Sequence, residues 1–225
     1  MAKINVINNK SGSLTIDPEV AGDSALQFDI NGTNEFIIGV DDTDSDKFKI
    51  SLEGTLGAAN KDTFIMTADG QRTMPLQPCF LNIEGGIITN VTGDGTAYGC
   101  GEKTATTSII NQGNDMTTGG AGTPATFTAP VDGVYMLNMM IQVYALSVTE
   151  FIYYVTTTKR TYRIFNFPST GRVASLEGIN HRIIMNGNVI ANMDSGETAI
   201  FNVQAWGTAK TTDIIGRSIS GVLLF

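Results

Sequence analysis

Over residues 1–76 apolar and polar positions alternate in short bursts separated by turn residues. Ile4 and Val6 precede Asn8-Asn9-Lys10-Ser11-Gly12, and Leu14 and Ile16 follow. Leu26, Phe28 and Ile30 run into Asn31-Gly32, and Phe36, Ile38 and Val40 leave it. Phe48, Ile50 and Leu52 form the next burst. Phe64, Met66 and Ala68 precede Asp69-Gly70, then Met74 and Leu76 close the run. A period of two puts every second side chain on one face, so these bursts predict strands with one buried face. Asn-Gly is a strong hairpin signal because both residues tolerate positive φ. Isolated hairpins are marginal in water. A unit below roughly 80 residues usually needs a staple or a partner, and neither a disulfide framework nor a metal set is in view. Oligomerisation is the remaining solution, and it suits a slender β-rich shaft of chains wrapped on one axis.

Around Pro75 and Pro78 the pattern changes. Val134 to Tyr144 reads as one long strand. Its Tyr135, Leu137, Met139, Ile141 and Val143 form an apolar face, and the alternate face is mixed. One face in a sandwich core and the other against a subunit would account for both. Further strands are predicted at Phe151 to Val155, Tyr162 to Phe167 and His181 to Met185. Asn186-Gly187 is read as a turn into Val189 to Met193, and Asp194-Ser195-Gly196 as a turn into Thr198 to Trp206. Ser220 to Phe225 ends the chain as a strand. Short strands with regular turn signals predict an all-β sandwich or barrel, and the roughly 147 residues from Cys79 onward suffice for a core of their own.

Composition narrows the function. Hydrophobic residues make up 42% of the 225 and charged ones 16%, which favours a packed core over disorder. The net charge is −8, and the 14 basic residues are scattered, the longest run being Lys159-Arg160. Nucleic acid is therefore not an expected partner. No stretch approaches the ~20 apolar residues of a membrane span, so no membrane insertion is expected. The first ten residues lack the apolar core of a signal peptide, which predicts assembly in a cytoplasm.

Candidate chemistry is sparse. Asp41-Asp42-Thr43-Asp44-Ser45-Asp46 offers oxygen ligands at alternating positions, as calcium prefers, but lacks the glycine and glutamate of an EF-hand; a solvated turn is the competing reading. His181, the only histidine, is too little for a catalytic triad or a zinc site. Gly93-Asp94-Gly95, with Gly99 and Gly101, precedes no helix and reads as a loop. Glu84, Asp94 and Glu102 are acidic but unpaired in sequence, whereas glycoside hydrolysis needs a carboxylate pair. No catalytic residue, cofactor or resident metal is expected, and the chain is not expected to be an enzyme. Cys79 and Cys100 read as free, partly buried thiols, with pairing left open. Met136, Met139, Met140 and Met185 read as core or subunit filler, and Trp206 as a packing anchor. Asn31-Gly32-Thr33 and Asn90-Val91-Thr92 match glycosylation sequons, but without a secretory route they read as coincidence. Binding is best sought in loops, here Thr117 to Gly122, expected to be flexible, and Thr156 to Arg160.

Phe127-Thr128-Ala129-Pro130-Val131-Asp132-Gly133-Val134-Tyr135 resembles the entry to the second half of the complement component 1q-type globular domain, a relative of tumour necrosis factor. Asn90 to Thr96, Asn111 to Asn114, Asp194 to Thr198 and Ser218 to Phe225 resemble other parts of that domain in the same order. The resemblance implies a jelly-roll head over 77–225 and a tight trimer, with Gly221 near the threefold axis. Gly133 reads as a turn glycine with positive φ. Phe36 to Ile50 and Thr67 to Gly70 resemble shaft segments of bacteriophage fibres. Together these imply a virion protein: 1–20 attaching to other tail or capsid proteins, 21–76 a trimeric shaft, and a head that binds a bacterial surface receptor or glycan. A capsid head fibre or decoration protein, a polysaccharide-degrading tail protein and a free bacterial lectin are the alternatives.

Overall fold

The computed structural model describes residues 16, 21–144, 149–168, 183–207 and 209–225. The predicted strand at His181 begins outside them. The chain divides into two units, Met1–Gln77 and Pro78–Phe225.

The first unit is an antiparallel meander of β1 (Ser24–Ile30), β2 (Thr33–Asp41), β3 (Lys47–Leu52), β4 (Asp62–Met66) and β5 (Arg72–Thr73), adjacent in chain order. Asn31 (φ 53) and Gly32 (φ 80) make the β1–β2 turn, the backbone that a two-residue hairpin demands. The register stacks Leu26, Ile38, Ile50 and Phe64 in one row and Val40, Phe48 and Met66 in another, on a shared apolar face. Gly39, Lys49 and Ile65 lie across the opposite face.

The better buried face is the charged one. Lys49 is 2% and Asp41 1% exposed, while Phe28 and Phe36 stand about half exposed. The segment between β3 and β4 is responsible. It lays Gly57 over Asp41 and Lys49, where a Cβ would lie 3.2 Å from Lys49 Nζ, and it buries Leu56. The alternation located the strands, but among the described residues the apolar set is not the better covered face.

The second unit begins with β6 (Cys79–Glu84), β7 (Ile88–Thr92), β8 (Ala97–Gly99), β9 (Thr107–Asn111) and β10 (Thr126–Thr128). It continues with β11 (Gly133–Tyr144), β12 (Glu150–Thr157), β13 (Thr161–Pro168), β14 (Ile183–Met193), β15 (Thr198–Trp206) and β16 (Thr212–Leu223). One sheet runs β14-β11-β16-β6-β9 and the other β10-β15-β12-β13, with β7 joined to β16 and β8 to β15. Numbering only the eight principal strands, β6 and β10 to β16, the sheets read first-eighth-third-sixth and second-seventh-fourth-fifth. That order is a jelly roll. The chain is all-β.

The apolar face of β11 packs against Phe151, Tyr153 and Val155 of β12 and Phe201 and Val203 of β15, all buried. Phe80 and Phe127 stack at 4.8 Å, and Phe127 meets Tyr135 edge-on at 5.4 Å. Two expectations change. Asn186-Gly187 is not a turn: both pair with Met140 and Met139 inside one continuous β14. Gly187 is needed there for space, since a Cβ would lie 3.0 Å from the Tyr153 hydroxyl. Gly133 opens β11 with an ordinary φ; its Cβ would meet Leu223 at 2.5 Å. Gly221 faces the core of its own sandwich, giving room to Phe80 and to Leu137, 2.9 Å from the position of a Cβ.

Candidate functional site

A sandwich has two inward faces, which are spent on its core, and two outward ones. On the β14-β11-β16-β6 sheet the outward positions are Val134 to Tyr144 alternately, Ile184 to Asn192 alternately, Cys79, Leu81 and Ile83, and Asp213, Gly216, Ser218, Ser220 and Val222. Of these only Asp213, opposite Tyr144 at one end, is charged, in a chain with 14 basic and 22 acidic residues. Ile184 and Ile190 are 65% and 63% exposed, Ile83 40% and Met136 38%. Asn138, Asn186, Asn188 and the two serines fill the rows between them. Depletion of charge with exposed Met and Ile is the composition of an interface centre. The signal in the sequence was the mixed face of Val134–Tyr144; its extent across four strands came only from the register. The methionines divide: Met139 is in the core, Met185 packs against it, Met140 is half-buried and Met136 lies on the outward face.

Two loops named from sequence are tied to different neighbours. Thr157 N–H donates to the Arg160 carbonyl at 2.7 Å, and Thr198 N–H donates to Thr158 Oγ1 at 3.0 Å. Lys159 forms an ion pair with Asp194, with Glu197 at 4.0 Å. Ser195 N–H donates to Asp132 Oδ1 at 2.7 Å. The turns 129–133, 157–160 and 194–197 thus form one linked end of the sandwich. Contact with Asp194 holds the Lys159 ammonium above its ordinary range.

The Thr117 to Gly122 loop is pinned rather than loose. Thr106 N–H donates to the Thr118 carbonyl at 2.7 Å, and Gly122 N–H to the Glu102 carbonyl at 2.9 Å. Asn82 Nδ2 donates to Thr106 Oγ1 at 2.9 Å, which ties the loop to the interior.

That interior has a polar centre. Glu84 and Arg217 are cross-strand partners in β6 and β16 and form a buried, two-pronged ion pair. Gly101 N–H donates to Glu84 Oε2 at 2.8 Å, Tyr98 OH to Oε1 at 3.3 Å, and the guanidinium lies 5.1 Å from the Tyr98 ring centre. Burial pushes the Tyr98 hydroxyl and the Cys100 thiol each up to about 12. Arg217 Nη1 and Asn82 Oδ1 have no partner among the described residues.

The acidic residues named from sequence are spent locally. Glu84 is in that ion pair, Asp94 Oδ1 accepts from Thr96 N–H at 3.0 Å, and Glu102 Oε2 from Gly99 N–H at 3.0 Å. Gly95 sits against the Trp206 indole, with its N–H donating to the Ala205 carbonyl at 2.8 Å. In the 41–46 loop, Asp41 and Asp44 each meet Lys49 Nζ at 2.7 Å, with Asp62 at 3.3 Å. Burial alone would lower the Lys49 pKa, but the hydrogen bonds it donates to Asp41 and Asp44 raise it overall; the same contact lowers Asp41 against its own burial. The loop is a lysine cradle rather than a wholly solvated turn. Cys79 and Cys100 are free thiols; Cys79 Sγ donates to Gln112 Oε1 at 3.1 Å. Asn31 occupies the exposed β1–β2 turn, and Asn90 N–H donates to Asp213 Oδ1 at 2.8 Å. His181 lies outside the described residues.

No family model and no curated protein matches this sequence. Solved structures do. The globular domain of zebrafish complement 1qA is similar at 11% identity and a TM-score of 0.43, over 66% of this chain and 98% of that one. Murine APRIL is similar at 11% identity and 0.42, over 66% and 99%. The PRD1 vertex protein P5 is similar at 12% and 0.43, over 67% and 99%.

Proposed function

We propose that this chain is a structural virion protein: a homotrimeric fibre whose jelly-roll head binds a receptor on a bacterial surface and carries out no catalysis. The observation that supports it most is the charge-poor, apolar outward face of the β14-β11-β16-β6 sheet. Monomers rarely expose contiguous apolar patches beyond a few hundred Å², and Ile184, Ile190, Ile83 and Met136 sit on an outward face whose one charge among the described residues of these four strands, Asp213, lies at the Tyr144 end. Self-association through this face covers it and leaves the linked turns at 129–133, 157–160 and 194–197 free. Three copies of a shallow loop site then bind with avidity, so no deep pocket is needed. The reading as a binder is supported by the acids Glu84, Asp94 and Glu102 each being held by local hydrogen bonds. Attachment to other virion proteins is assigned to residues 1–20.

Light scattering on the purified chain is the first test. A mass near three times 24.0 kDa is expected, and a monomer at micromolar concentration overturns the fibre reading. Ile190→Glu should then break the assembly. Antibody to Pro78–Phe225 on purified virions separates a tail fibre from a capsid fibre. Cleavage of surface polysaccharide by the protein would overturn the non-catalytic reading.

A further inference from the structure

The first unit buries the wrong face for a chain that acts alone. Its apolar face is continuous over four strands. Leu26, Phe28 and Phe36 are 39%, 51% and 47% exposed, and Ile30 63%. With about 170 Å² per large apolar side chain, these four alone leave roughly 350 Å² in water. That already lies within the range of the largest, often functional, patches on monomers. The half-buried Ile38, Ile50, Phe48 and Phe64 extend it.

Charge selects the occupant. Between residues 21 and 77 there are ten acidic residues against four basic ones, a net of −6. A basic partner would be drawn to the acidic surfaces, not to this face. Two copies of the chain repel each other through those surfaces, and the apolar face, which bears no acidic residue in its rows and only Arg72 at its β5 edge, is where they can meet with least opposition of like charge. The buried Asp41–Lys49 pair, which would be costly to desolvate in an interface, is already covered on the other side by the β3–β4 segment.

We propose that the apolar face of the β1–β4 sheet packs against the same face of further copies of this chain, as a second homotypic surface besides that of the jelly roll. The inference rests on the trimeric reading and adds where its first unit closes. An independent interface takes about 800 Å² per partner, so this face acts as an auxiliary that orders the first unit once the second has assembled.

The test uses cysteine accessibility in the full chain. In a Cys79→Ser background, Phe36→Cys on the face and Asp69→Cys in the exposed β4–β5 turn are labelled with a maleimide, with the mass measured in the same sample. Phe28→Cys repeats the test from β1, in case one substitution disturbs the sheet. In the assembled protein both face positions should label at least tenfold more slowly than Asp69→Cys, and dilution to monomer should abolish the difference. Equal rates in an assembled protein overturn this inference and leave the trimeric reading standing. A monomer at all concentrations overturns both. Slow labelling that persists in the monomer assigns the cover to the chain's own residues and overturns the homotypic surface alone.

Discussion

Removing Arg217 should unfold the jelly roll more easily than any surface change. In Arg217→Met the methionine keeps most of the buried volume but strips Glu84 of its counter-charge. Glu84 would retain the Gly101 N–H at 2.8 Å and the Tyr98 hydroxyl at 3.3 Å. Two hydrogen bonds do not compensate for a carboxylate buried without its partner, and breaking such a pair costs about 3–5 kcal/mol. For a unit of this size that lowers the melting temperature by roughly 6–20 °C. Replacing both members with apolar residues of similar volume is often neutral, so Glu84→Met/Arg217→Met should recover much of the loss. Arg217 Nη1, which has no partner among the described residues, is relieved in the double variant. The assay is urea unfolding followed by Trp206, the one tryptophan of the chain. It must be run at one protein concentration, because assembly shifts the midpoint. A cost below about 1 kcal/mol for Arg217→Met, or a double variant whose loss equals the sum of the singles, refutes the reasoning.

Lys49→Met leaves Asp41, Asp44 and Asp62 facing one another; the first unit should lose at least about 3 kcal/mol at neutral pH, seen as faster hydrogen exchange over Phe36 to Leu52. In the native chain Asp41 is held below its ordinary 3.8, so its contribution is present above that pH and lost as the pH falls through the lower folded value. The raised Lys49 contributes below its ordinary 10.5 and is lost only as the pH rises past its folded value. The native first unit should therefore loosen in acid below about pH 3.8, whereas the Lys49→Met variant should gain stability there as its carboxyls protonate; loosening of both together would count against the cluster. Cys100, buried with its thiol raised to about 12, should react with a thiol reagent only on unfolding, while Cys79 reacts slowly in the native state. Gly221→Val should cost about 1–3 kcal/mol by overpacking against Phe80 and Leu137; an unchanged melting temperature would show that those side chains have room to move.

The strand-level content of the fold was legible in the sequence. Thr198 to Trp206 is β15 to the residue, Val134 to Tyr144 is β11 but for one residue, and Asn31-Gly32 turns where its backbone freedom says it should. These are local properties: period-two alternation and the φ preferences of one or two residues are written in neighbouring positions. Asn186-Gly187 misled because the same glycine that suits a turn also suits a strand where Tyr153 and Ile164 crowd the backbone, and that crowding comes from β12 and β13, far away in sequence. The Glu84–Arg217 pair joins residues 133 apart. Lys49 is buried by a loop that closes over it, which its place in the alternation does not show. Alternation states that a strand has two unlike faces, but which face is covered depends on what the rest of the chain, or another copy of it, lays across it. The charge-poor faces of both units are visible only once the register aligns several strands, so the tertiary structure, not the local pattern, decides where this protein has surface left to bind.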